Sequence, residues 1–161
     1  MDDHTTPGGV PDADRVREST AAEVLHDIDE ATAARIDACA AQGRDAIDRR
    51  LSELDGESDV ERLLEINASI LALGGLSLGV LADRRWLILP GVVLPFLLQH
   101  GVQGWCPPLP VMRRLGARTR AEIDAERVAL KALRGDFEGL GHAGAGAARP
   151  RAADVLAAVR A

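Results

Sequence analysis

Residues 66–105 read INASILALGGLSLGVLADRRWLILPGVVLPFLLQHGVQGW, and this stretch decides the fold class. From Ile66 to Ala82 no residue is charged. At helical rise that run covers about 25 Å, and Leu63 and Leu64 extend it toward the roughly 30 Å of a hydrocarbon layer. Asp83-Arg84-Arg85 then makes a tight polar break. Trp86 to Trp105 follows, apolar except at Gln99, His100 and Gln103. The two tryptophans are the only ones in the chain. Along a helix they would stand about 28 Å apart, the separation of interfacial anchors at two bilayer faces. Pro90 and Pro95 would weaken a soluble helix but are tolerated in a membrane one. The stretch therefore predicts a transmembrane helical hairpin over roughly Leu64 to Cys106. A buried hairpin in a soluble helical bundle is the competing reading, and it would need other helices covering it on every side.

The rest of the composition agrees with an all-α fold. Two Phe, two Trp and no Tyr stand among many Ala, Leu and Arg, so helix formers dominate and strand formers are scarce. Charge is divided along the chain. Through Glu65 there are 18 acidic against 7 basic residues, and from Ile66 onward 7 against 12. The basic part follows the apolar stretch, where anionic headgroups would attract it. Nucleic acid is disfavoured, because no basic run is interleaved with aromatics and the acidic half would repel phosphates. Cys39 and Cys106 are the only cysteines, which excludes a disulfide framework and a four-cysteine zinc site. No cofactor or metal site is expected. Met1 to Asp14 is acidic and polar, unlike a secretory signal, so insertion falls to an internal segment.

Working outward, residues 1–18 read as a disordered leader broken by Pro7-Gly8-Gly9 and Pro11. Residues 19–57 read as an acidic helical segment. Thr20 with Glu23 has capping-box spacing, a second helical piece runs from Asp29 to Gln42, and Gly43 stops it. Ile47, Leu51 and Leu54 recur at helical spacing until Asp55-Gly56. The hairpin occupies 58–110, opened by Ser58 with Glu61 and closed by Pro107-Pro108-Leu109-Pro110. Residues 111–138 read as a basic turn and an amphipathic helix lying on headgroups. Thr119 with Glu122 opens that helix, Ile123, Leu130, Leu133 and Phe137 supply its apolar side, and Arg127, Lys131 and Arg134 align on another. Residues 139–161 read as a flexible tail with one short helix.

Four groups of side chains are candidates for function. Ala68, Ala72, Gly75, Gly79 and Ala82 form one small-residue stripe that lets a helix approach closely, either the second span or a second copy of the chain. Gln99, His100, Gln103 and Cys106 share a face near one end of the second span, so they serve as interhelical glue or line a wet pocket. Arg113, Arg114, Arg118 and Arg120 suit lipid headgroups. Cys106 is a candidate thiol, near an interface and close to a basic turn. Arg49, Arg50 and Arg62 before the hairpin and the four arginines after it outnumber Arg84 and Arg85 in its turn. By the positive-inside rule both termini are cytoplasmic.

At Gly104-Trp105-Cys106-Pro107, with Leu115-Gly116 and Thr119, the chain resembles a family of small bacterial inner-membrane proteins of unknown function. Their two-helix anchor also follows rhodanese domains in membrane-bound sulfurtransferases. The resemblance covers about residues 60–120. It implies an inner-membrane hairpin, cytoplasmic termini, a homodimer and a link to sulfur chemistry. The interval from Cys106 to Gly116 is longer than the family's, and Arg120 stands where many members have a second cysteine. Residues 1–60 are too short for a rhodanese domain. Three expectations follow: a non-catalytic membrane anchor whose cytoplasmic helices recruit a protein partner, a thiol-bearing accessory of sulfur transfer or redox sensing through Cys106, or a soluble interaction bundle.

Overall fold

A computed structural model describes residues 15–138, and among these the chain is helical with no strand. The proline- and glycine-rich part of the leader and the tail from residue 139 lie outside the described residues. Seven α-helices follow in order: α1 (Arg15–Glu18), α2 (Ala22–Gln42), α3 (Arg44–Gly56), α4 (Val60–Leu81), α5 (Ile88–Gln103), α6 (Leu109–Arg114) and α7 (Arg120–Arg134). A 3-10 turn, Arg84–Leu87, precedes α5. The chain divides into two compact units, residues 15–26 with 58–120 and residues 27–57 with 121–138.

In the first unit Asp59 caps α4, its carboxylate accepting from the Arg62 amide at 2.8 Å. The capping residue is thus one position later than the Ser58 that the sequence suggests. The helix then runs unbroken through the charge-free stretch to Leu81. At the turn the Asp83 carboxylate accepts from the Arg85 amide at 2.8 Å and starts the 3-10 segment. Trp86 and Leu87 belong to that segment. The second span is therefore shorter than the Trp86 to Trp105 helix expected: α5 ends at Gln103, where Gly104 adopts φ +70 and its amide closes on the His100 carbonyl. Trp105 and Cys106 lie beyond the helix, so the tryptophans bracket the span rather than occupy one helix.

Order begins earlier than the leader reading allows. α1 starts at Arg15, and Val16 is buried with Val60, Leu64, Cys106 and Leu109. Thr20 does not open a capping box. Its hydroxyl donates to the Val16 carbonyl at 2.6 Å and accepts from Arg113 Nε at 3.1 Å, so it ties α1 to α6. The two helical pieces expected between Thr20 and Gln42 are one continuous helix, α2.

The second unit has a core of Ile47, Leu51, Leu54, Ile123 and Leu130, with Ile36 and Cys39 packed against it. Gly43, at φ +91, separates α2 from α3 as expected. α7 has the strongly two-sided pattern predicted, and its basic side, expected at headgroups, is engaged by acids of α3. Arg127 pairs with Asp55 and donates to the Leu54 carbonyl, and Arg134 donates to Asp48 at 2.7 Å. Lys131 is buried. Leu133 stays exposed and Phe137 lies in the turn after the helix. The acids of α3 pair with these arginines, as opposite charges on neighbouring helices do.

Candidate functional site

The hairpin is built on close approach. Gly75 and Gly79 are buried on α4. A Cβ placed at Gly75 would lie 2.6 Å from Pro90 Cδ and 3.1 Å from the Trp86 carbonyl oxygen, and one at Gly79 would collide with the Leu87 side chain. The stripe is thus filled by the chain's own second helix and the 3-10 turn. Ala68 and Ala72 are half-buried, whereas Ala82, at the end of α4, is exposed and falls outside the contact. Pro90 sits in the first turn of α5, where no amide partner is lost, and its ring supplies the flat surface that Gly75 receives.

The opposite sides of these helices meet nothing in the described chain. Sixteen large apolar side chains between Ile66 and Val102 are exposed, Val80 to 74 % and Leu81 to 84 %. Such a surface is on the order of 1,000 Å², against the few hundred that soluble monomers expose in one patch. Two helices, one within Arg44–Leu81 and one over Arg84–Gln103, are long and apolar enough to cross a membrane. In the first of these the apolar window belongs to α4, since α3 ends before Glu57.

At the other end of the hairpin the polar residues come together only in part. Gln99 Nε2 donates to Gln103 Oε1 across one turn at 3.4 Å. His100 Nδ1 is buried without a hydrogen-bond partner, and Glu65 of α4 is within electrostatic reach of the ring. Cys106 does not join this face. It is buried among Val16, Val60, Leu64 and Leu109, outside the span, and burial pushes its thiol pKa up against a smaller opposing effect of the Leu109 amide. A thiol acting as nucleophile at neutral pH needs the opposite shift. Cys39 is half-buried against the core of the second unit.

The four arginines expected at headgroups separate into two pairs. Arg114 and Arg120 are exposed. Arg113 and Arg118 are buried, which removes them from the lipid-contact group. Arg113 donates to the Ala117 carbonyl at 2.7 Å and to Thr20, and the Arg118 carbonyl accepts from the Val60 amide at 2.8 Å. Both hold the turn after α6 in place.

Sequence reasoning misses the residues that finish the end of α5. Arg15 Nη1 donates to the Val102 carbonyl at 2.9 Å, and the Ser19 hydroxyl, nearest to the Arg15 carbonyl at 2.8 Å, also lies 3.1 Å from the Gly104 carbonyl. The Val102 carbonyl lies in the last turn of α5, where intrahelical donors run out, and α1 supplies one through Arg15. Gly104 is required there twice over, by its left-handed backbone and because a side chain would strike Arg15. The Gly104 signal is visible in the sequence, but its partner is 89 residues away.

In the second unit Glu126, with a side chain 0 % exposed, accepts from Arg50 Nε at 2.8 Å and lies 3.6 Å from Arg35. Arg50 also reaches Glu53 and Glu57. This network binds α2, α3 and α7 together and leaves little charge for a ligand. Among the described residues no cluster of His, Cys, Asp and Glu is arranged to hold a metal ion. No family model matches the chain, nor does any curated protein or solved structure.

Proposed function

We propose that this chain is an integral protein of a bacterial inner membrane, anchored by the α4–α5 hairpin with both termini in the cytoplasm. It acts without catalysis, as an anchor or scaffold for a cytoplasmic protein. The observation that carries the reading is the exposed apolar surface on the outer sides of α4 and α5, paired with a tightly packed glycine contact between them. Burial inside a soluble bundle would give the reverse, because uncovered leucines in water cost about 1.5–3 kcal/mol each. A bilayer removes that cost.

The arginines support this orientation. Arg84 and Arg85 are the only basic residues in the turn, whereas Arg49 and Arg62, before the hairpin in sequence, and Arg114 and Arg120, after it, are exposed. The resemblance at Gly104-Trp105-Cys106-Pro107 supports the same placement. The raised thiol pKa and burial of Cys106 weigh against sulfur transfer. A second copy is not needed to fill the glycine stripe.

Alkaline carbonate washing of a membrane fraction tests the anchor. The protein stays in the pellet if the hairpin spans the bilayer. Recovery in the supernatant overturns the reading and leaves a soluble bundle.

A further inference from the structure

We infer that the lipid-contacting surface does not end with the hairpin but continues onto α6, whose exposed face rests in the headgroup boundary of an anionic bilayer. The inference depends on the membrane reading above.

α6 is turned inside out for a helix in water. Leu109 and Arg113 are four residues apart and share the buried face; Arg113 is 1 % exposed. Val111 and Leu115, also four apart, lie on the other face, and Leu115 is 82 % exposed. An aqueous helix of this sequence would present Arg113 outward and cover Leu115. Here the guanidinium is held inside by Ala117 and Thr20 while two aliphatic side chains are left out. A surface of acyl chains and headgroups reverses the preference, because it takes up leucine and valine and leaves no cost for their exposure.

Two further observations identify the same occupant. The segment from Gly104 to Pro108 is all that joins α5 to α6, and within it Trp105 is exposed, the residue type that prefers the interface. Moreover, no Asp or Glu occurs from Arg84 to Ala121. Arg114, exposed in the last turn of α6, thus has no acid of its own segment to pair with, and this segment offers anionic headgroups only positive charge.

Tryptophan reporters in the full chain test this, reconstituted in phosphatidylcholine–phosphatidylglycerol vesicles whose acyl chains are brominated either near the headgroup, for the α6 position, or deep in the chain, for the α4 position. On a Trp86→Phe, Trp105→Phe background, Leu115→Trp is compared with Leu73→Trp on the exposed side of α4. The expected result is blue-shifted emission and quenching by bromine at both positions. Quenching at Leu73→Trp without quenching at Leu115→Trp overturns the inference and leaves the hairpin standing. Loss of quenching at both removes the membrane reading itself. A blue shift at Leu115→Trp without quenching means that protein, such as a second copy, covers α6, and this too overturns the inference. Adding Arg114→Gln, or omitting phosphatidylglycerol, should shift the Leu115→Trp emission to the red; emission unchanged by both overturns the anionic part.

Discussion

Neighbouring glycines of α4 have opposite duties. Gly75 faces the Pro90 ring and the Trp86 carbonyl, neither of which can move aside easily, while Gly74 has nothing within 4 Å of where its Cβ would be. Gly75→Ala should therefore destabilise the hairpin by about 1–3 kcal/mol, as overpacking does. Gly74→Ala should be neutral or stabilising by up to about 1 kcal/mol through helix propensity. Unfolding of the detergent-solubilised protein by SDS, followed by circular dichroism, separates the two; equal effects would mean that the stripe is not the contact. Cys106 gives a second expectation at this scale. Its alkylation rate should rise only on the alkaline side of an ordinary thiol's profile, because burial disfavours the thiolate. A rate at neutral pH faster than that of a free thiol would restore the sulfur-transfer reading.

Between elements, charge does in the second unit what glycine does in the first. Glu126 on α7 neutralises Arg50 on α3, so removing either partner takes the nearest opposite charge from the other. Glu126→Ala should cost about 3 kcal/mol, the low end of the range for breaking a buried pair, because Arg50 retains Glu53 and Glu57. Thermal unfolding of the variant measures it, and a loss indistinguishable from a surface substitution would refute the assignment. The end of α7 adds a pH dependence. Hydrogen bonding from Arg134 holds the Asp136 carboxyl below the usual carboxylate range. A lowered folded-state pKa contributes stability that is present above the unfolded-chain value near ~4 and is lost as pH falls through the lowered value. Acid titration of stability should therefore be shallower in Asp136→Asn than in the parent; identical curves would show that the pair contributes nothing.

For the whole molecule the proposed topology is the test of consequence. With native cysteines replaced, Asp83→Cys should react with a membrane-impermeant reagent in intact cells. Ala22→Cys, exposed at the start of α2, should resist until the membrane is opened. Labelling at Ala22→Cys alone would invert the protein and put its acidic first half outside the cytoplasm.

The sequence by itself determined what depends on near neighbours along the chain. Helical class, the apolar runs, the turn at Asp83, the break at Gly43 and the apolar spacing of Ile47, Leu51 and Leu54 all follow from periodicity and local hydrogen bonding, which span only a few residues. It also offered the glycine stripe, though not the choice between the second helix and a second copy. Tertiary structure decided what depends on distant pairing. Arg113 and Arg118 look like headgroup ligands until Thr20, Ala117 and Val60 are seen around them. The basic side of α7 looks like a membrane face until the acids of α3 meet it. Charge alone does not say whether an arginine will be solvated, bound to lipid or buried against a carboxylate. That choice is made by which helices pack together, and packing brings residues such as Arg15 and Val102 together across 87 positions of chain.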